Sequence, residues 1–309
     1  MALYFDTGYL PEFKNAVVTI GTFDGVHLGH QKILQTVIDQ ARAVQGESMV
    51  ITFDPHPRKL LFPDKELKIL TPLQEKLALI SSIGIHHIIV APFTKEFSSL
   101  SAQQYIQDFL IEKFHPHTIV IGYDHHFGND RGGNIELLKK EQERYGYKLI
   151  EIPEQLVDEA GVSSTKIRNA LREGNVQESA LMMGRTYGIK GTVVKGNQLG
   201  RTIGYPTANI RLSDEAQLLP AIGIYCVQVR HEATCYGGML SIGYNPTVTE
   251  EKTIKIEVHI FDFDKMIYGE ELELFFIDKM REEQKFTSLD ALKEQLKKDE
   301  AMARRRLEE

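Results

Sequence analysis

Two histidines three residues apart, His27 and His30, lie in the stretch "GTFDGVHLGHQKIL", which follows directly on the apolar run "AVVTI". Gly21, Gly25 and Gly29 share the same ten residues. An apolar run, a glycine-rich turn and then a helix-period segment mark a strand passing into a helix. A helix N-terminus carries unpaired N–H groups and partial positive charge, which suit phosphate. The glycines would let a phosphate chain approach the backbone. Imidazoles one turn apart fall on one side of the helix and can donate to phosphate oxygens. Nucleotidyl transfer asks for such equipment, because its transition state is mainly a matter of holding and neutralising negative charge. A glycine turn with two surface histidines stays open as an alternative. So does a metal site, although no third ligand stands nearby in the sequence.

A second cluster is "VSSTKIRNAL", Val162 to Leu171. Ser163 and Ser164 can cap a helix, and Thr165, Lys166 and Arg168 then crowd its first turn. Cations there oppose the helix dipole unless an anion joins them, so Arg168 is a candidate phosphate clamp with its planar fork of donors. An ordinary capped helix with solvated charges explains the segment about as well. A third cluster is "KGNQLGRTIGYPTANI", Lys195 to Ile210. Gly196 and Gly200 belong to a loop whose amides could cradle phosphates, and Arg201 adds a permanent charge. Thr207 and Asn209 offer a hydroxyl and an amide oxygen, hard ligands suited to Mg²⁺ beside nucleotide phosphates. A plain glycine-rich connection remains the rival here. Glu257 is the odd residue in the apolar stretch "IKIEVHIFDF", and alternation with Lys255 and His259 is compatible with a solvent-facing strand side.

The elements that must position these residues change character near residue 183. Before it, "AVVTIG", "MVITF", "HHIIVAPF", "HTIVIGY" and "KLIEIP" alternate with helix-period segments such as "HQKILQTVIDQARAV" and "SAQQYIQDFLIEKF". That pattern predicts a doubly wound α/β domain over residues 1–183, with ligands at the carboxyl ends of its strands. Residues 184–309 instead read as strands joined by glycine or polar turns. They predict an antiparallel β-barrel closed by a C-terminal amphipathic helix with Ser288 as its N-cap. "SSTKIRNALREGNVQESALMMGR" reads as two short helices broken at Gly174-Asn175.

Composition narrows the setting. The chain has 309 residues, a net charge of −7, 42% hydrophobic and 26% charged residues, as an ordinary globular protein does. The acidic balance argues against a nucleic-acid or membrane surface. No signal peptide or membrane-spanning run is visible at this level. Cys226 and Cys235 lack metal or CxxC spacing and read as reduced thiols, so a cytoplasmic protein is expected. Oligomeric state is not readable.

"HLGH" and "SSTKIR" resemble the two signatures of the HxGH nucleotidylyltransferase superfamily. The longer "GTFDGVHLGHQKIL" with "TFDPHP", Thr52 to Pro57, is similar to the adenylyltransferase half of bacterial bifunctional riboflavin kinase/FMN adenylyltransferases, the prokaryotic FAD synthetases. "GRTIGYPTAN", followed in order by "GIYCVQV", "SIGYNPTV", "IEVHIFDFD" and "REEQKF", resembles the kinase half. The resemblance implies a Rossmann-like domain that adenylylates FMN from ATP with loss of pyrophosphate, and a barrel that phosphorylates riboflavin. It implies that His27 and His30 steady the ATP phosphates, with Phe23, Asp24 and Ser163 also at the nucleotide. It further implies that Arg168, Ser164 and Thr165 hold the outgoing pyrophosphate. "GYDHHFGNDRGGN", with Asp124 and Phe127, matches the family's segment near the flavin and adenine. Many members carry Asn at the position of Asp124. In the barrel the resemblance makes Glu257 the general base and puts Arg281 and Phe286 near the flavin. A non-catalytic flavin sensor is disfavoured by Glu257, since a binder needs no base.

Overall fold

The β-branched runs of the N-terminal half become strands of one parallel sheet. The computed structural model describes residues 1–63, 67–123, 125–129, 132–153, 161–196, 199–244 and 254–308. The sheet contains β1 (Ala2–Tyr4), β2 (Val17–Ile20), β3 (Ser48–Asp54), β4 (His87–Pro92), β5 (Thr118–Gly122) and β6 (Lys148–Ile152), in the order β1-β4-β3-β2-β5-β6. Every neighbouring pair is parallel. The chain steps outward from β2 through β3 to β4, then returns to start β5 on the other side of β2. The carboxyl ends of β2 and β5 therefore flank the topological switch point, where ligands bind in such sheets.

Alternate strand residues serve opposite faces, as the period of two requires. Val17, Val50, Ile88 and Val120 pack with Leu34, Val37, Leu77 and Ile80 from α1 (Leu28–Ala43) and α2 (Leu73–Ile83). Val18, Ile51, Ile89 and Ile119 pack on the other face with Tyr105, Phe109 and Leu138, the last from α3 (Ile135–Tyr145). One crossover departs from its expected form. "SAQQYIQDFLIEKF" reads as one α-helix, but Tyr105–Ile111 is a π-helical stretch between short α turns. The wider turn lets Tyr105, Ile106, Phe109 and Leu110 all enter the core.

By contacts the chain divides into Met1–Ser164 and Thr165–Glu309. The second unit contains α4 from its second residue (Ser164–Glu173) and α5 (Val176–Met183), separated at Gly174, whose φ of 84° only glycine adopts easily. Helix α5 packs against the barrel strand β12. The barrel is closed in the order β10-β11-β8-β7-β12-β9, all antiparallel. Its strands are β7 (Gly188–Val194), β8 (Ala208–Leu212), β9 (Gly223–His231), β10 (Thr234–Tyr244), β11 (Ile254–Ile260) and β12 (Glu271–Arg281). Strand β8 lies in the stretch expected to be a loop, and its pairing with β7 and β11 completes the barrel wall. Helix α6 (Leu289–Glu308) starts where expected, with the Ser288 hydroxyl accepting from the Ala291 N–H at 3.1 Å. It lays Ala303 against Cys226, Met239 and Phe261 on the barrel's outer wall.

Candidate active sites

The turn from β2 into α1 is built under strain. Phe23, Gly25 and Val26 have φ values of 49°, 90° and 38°. Left-handed backbone is costly for a β-branched residue such as Val26, so neighbours must hold it. The Asp24 carboxylate accepts from the Leu70 N–H at 2.9 Å and the Thr71 N–H at 3.1 Å. Lys76 Nζ donates to the Thr22 carbonyl at 3.1 Å and to Thr52 Oγ1 at 3.0 Å. Ser164, the first residue of α4, donates its hydroxyl to the Asp24 carbonyl at 2.9 Å. Gly25 is fixed in type, because a Cβ there would lie 2.8 Å from Leu70 Cδ1 on top of the unfavourable φ. Asp24, expected among the phosphate contacts, thus spends its carboxylate on backbone donors; an anion so engaged fastens the turn.

His27 caps α1, its Nδ1 accepting from the His30 N–H at 3.3 Å. To accept there, Nδ1 must keep its lone pair, so in the neutral ring the proton sits on Nε2. The two imidazoles stack with centroids 3.6 Å apart and 19° between planes. Phe23 meets His30 edge-on at 5.2 Å, and Gly21 leaves room for that ring, a Cβ there coming within 3.2 Å of it. These are not surface histidines: His27 is only 4% exposed. Burial, then the neighbouring His27, then Lys76 hold His30 well below the usual histidine value of 6.5. His30 is therefore a neutral imidazole at physiological pH, and its buried Nδ1 has no hydrogen-bond partner. Gly29 is buried in the first turn of α1. Among the described residues no group of three or more His, Cys, Asp or Glu could hold a metal ion.

In the second signature Arg168 is buried, Ser163 is half-buried and Thr165 is exposed. Asp124 lies outside the described residues. Phe127, expected near the flavin, belongs to the hydrophobic core, its ring stacked on Tyr105 at 4.8 Å. It exchanges two backbone hydrogen bonds with Gly133, both 3.0 Å, and a Cβ on Gly133 would lie 2.3 Å from the ring. Its position pins the loop that leaves β5 at the switch point.

In the barrel, residues far apart in sequence line one cavity of about 310 Å³, among them Gly200, Thr207, Lys255, Glu257, Arg281 and Phe286. Along β11, Ile256, Val258 and Ile260 are buried while Lys255, Glu257 and His259 line the cavity. This side of the strand is thus a cavity wall and not an open solvent face, because α6 and the 281–286 segment stand over it. Register pairs Glu257 with Asn209 of β8. Thr207 Oγ1 donates to Glu257 Oε1 at 3.3 Å, and Lys255 Nζ pairs with the same oxygen at 3.0 Å. Both of these contacts engage Oε1 rather than Oε2. Gly196 and Gly200 allow close approach: a Cβ would lie 2.2 Å from Asn209 Nδ2 in one case and from the Tyr205 carbonyl in the other. Arg201 is exposed. Arg281 forks onto the buried Asp299, Nη2–Oδ2 2.6 Å and Nε–Oδ1 3.0 Å, and lies 5.8 Å over the Phe286 ring.

Residues 10–166 match the family model described as FAD synthetase, and residues 183–307 the one described as riboflavin kinase. The chain belongs to the bifunctional riboflavin kinase/FMN adenylyltransferase family. A member from Listeria monocytogenes is 39% identical over 292 residues, covering 93% of this chain and 90% of that one. The Escherichia coli K12 member is 37% identical over 294 residues, covering 94% and 92%. A crystal structure described as a macrolide-efflux protein from Streptococcus pneumoniae matches with a TM-score of 0.86 and 34% identity over 98% of both chains. No helix among the described residues here is long and apolar enough to cross a membrane.

Lys76, Lys255 and Asp299 escaped the sequence reading. Lys76 left one signal, a cation on the apolar face of "PLQEKLALISSI". Lys255 and Asp299 left none, since each looks like a solvated charge until the cavity is assembled.

Proposed function

We propose that this chain makes FAD from riboflavin in two steps, with separate sites in residues 1–183 and 184–309. The barrel phosphorylates riboflavin with ATP to give FMN and ADP. The α/β domain joins FMN to the adenylyl group of a second ATP, releasing pyrophosphate. The observation that carries the reading is the barrel cavity, which gathers Thr207, Glu257, Arg281 and Phe286 from three separate stretches of chain around one carboxylate.

In the kinase step, Glu257 Oε2 takes the proton from the ribityl 5′-hydroxyl as its oxygen attacks the γ-phosphorus. Thr207 and Lys255 hold the carboxylate by its other oxygen. Arg281, locked by Asp299, and Phe286 form the flavin side of the cavity. Gly196, Gly200 and Arg201 belong to the phosphate loop. Thr207 and Asn209 would hold Mg²⁺, which neutralises phosphate charge; hydroxyl and amide oxygens suit that hard cation, and the bare Gly196 leaves space beside Asn209.

In the adenylyl step the nucleophile is the phosphate of FMN, already an anion, so no base is required. The imidazoles of His27 and His30 act as hydrogen-bond donors to the ATP phosphates, with Gly21, Gly25 and Gly29 clearing the backbone. Ser163, Ser164, Thr165 and Arg168 receive the pyrophosphate. Phe23 and Asp24 shape the turn, and Asp124 and Phe127 belong to the loop beside the flavin. The enzyme works in the cytoplasm on small molecules, with no nucleic-acid partner. Incubation with riboflavin, ATP and Mg²⁺ followed by flavin chromatography tests this. FMN together with FAD is expected; FMN alone or unchanged riboflavin would refute one or both halves.

A further inference from the structure

Lys76 occupies an apolar-face position of α2, between Leu73 and Leu77, and is only 6% exposed. Its ammonium bonds the Thr22 carbonyl and the Thr52 hydroxyl, and no described carboxylate forms an ion pair with it. The Thr52 hydroxyl in turn donates to the Thr22 carbonyl at 3.2 Å, so the three groups form a triangle beneath the strained turn. An ammonium has three donors, and two are spent here. The titratable groups around it are Asp24 on the turn, Asp54 at the end of β3, and His30 on α1. Burial lowers Lys76 to about 8 against the pull of the two aspartates. An unpaired buried cation is expensive, and a methionine of similar length would fill the same space without that penalty. The Thr22 and Thr52 oxygens use the ammonium's donors to fasten the turn, but as neutral acceptors they do not balance its charge. A polyanion seated on the other side of the turn would.

We propose that Lys76 is a positioning residue for adenylyl transfer: it sets the Gly21–Gly25 turn through the Thr22 carbonyl and gives the phosphate seat a fixed positive floor. His30 can then stay neutral, stacked on His27, without leaving the seat uncharged. This inference rests on the assignment of that seat to His27 and His30.

The test is Lys76→Met in the full chain, assayed separately with FMN and with riboflavin. FMN adenylylation should fall about 10- to 100-fold in kcat, at or below the worth of a donor that touches the reacting group directly. Riboflavin phosphorylation should stay at the wild-type rate, which shows that the chain is folded under assay. In the wild type, adenylylation should weaken as pH rises through about 8, where Lys76 loses its proton, and the Met variant should lack that limb. A lysine that only fastens the turn predicts a loss of adenylylation with the alkaline limb of the pH profile kept in the Met variant; that result would overturn the proposal. Full adenylylation by a folded Lys76→Met protein would also overturn it. His30→Ala, run in parallel, separates the failures: if it too leaves adenylylation intact, the seat itself has been misassigned.

Discussion

The α/β unit and the barrel each take ATP, yet they put opposite kinds of side chain at the reacting centre. The turn before α1 offers two stacked imidazoles, of which His30 is neutral, beside a buried lysine. The barrel offers a half-exposed carboxylate held by one oxygen in an open-sided cavity. The nucleophiles explain the difference. An alcohol must lose a proton to attack phosphorus, so the kinase site keeps a base. A phosphate monoester attacks as an anion, and a carboxylate beside it would repel it. The one carboxylate at the turn, Asp24, is accordingly occupied by two backbone N–H groups. On the proposed assignment, the carboxylate of Glu257 keeps one oxygen outside its Thr207 and Lys255 contacts, whereas that of Asp24 is engaged by the backbone.

Chelation is the treatment that should erase the contrast: both reactions should stop without Mg²⁺ and return when it is restored, with circular dichroism unchanged throughout. Loss of folding on chelation would point to a structural metal instead. The contrast sharpens with single substitutions. Glu257→Gln keeps the shape and removes the proton acceptor, so riboflavin phosphorylation should drop about 10²- to 10⁴-fold in steady-state kinetics. His30→Ala should slow FMN adenylylation by about 10²-fold, the scale of one lost charge-stabilising donor. Asp24→Ala leaves the buried Leu70 and Thr71 N–H groups without acceptors. It should destabilise the first unit by about 2–4 kcal/mol in urea unfolding, given the usual penalty per unsatisfied group.

The smallest expected effect is in acid. His30 titrates below its ordinary 6.5 when folded. The unfolded chain therefore takes up the proton first as pH falls, and stability is lost from about 6.5 downward until the folded ring itself protonates. A His30→Phe protein should lose less melting temperature between pH 7 and 5 than the wild type does.

Much of this was legible in the sequence because it is local. The alternation of apolar runs and 3.6-period segments predicts the parallel sheet, and "GTFDGVHLGH" marks its functional strand end. What stayed hidden depends on contacts between distant segments. Strand β8 begins directly after a Gly-Tyr-Pro-Thr stretch that reads as a turn, and its pairing with β7 and β11 is not visible locally. The π-helical stretch has no period that a 3.6-residue count could find. The Leu70 and Thr71 N–H groups that bind Asp24 lie 46 and 47 residues away from it. Nothing near Phe127 in sequence announces the Tyr105 ring stacked on it. Nor does the alternation around Glu257 show that residues beyond 280 complete a cavity wall over it.

The decisive measurement is a crossed assay of Glu257→Gln and His30→Ala, each given riboflavin with ATP and Mg²⁺, then FMN with ATP and Mg²⁺, with the flavins resolved by chromatography. Two separate sites predict that His30→Ala accumulates FMN from riboflavin, whereas Glu257→Gln leaves riboflavin unconverted yet turns supplied FMN into FAD at the wild-type rate. Loss of both reactions in either protein, still folded by circular dichroism, would contradict the assignment of one chemistry to each unit.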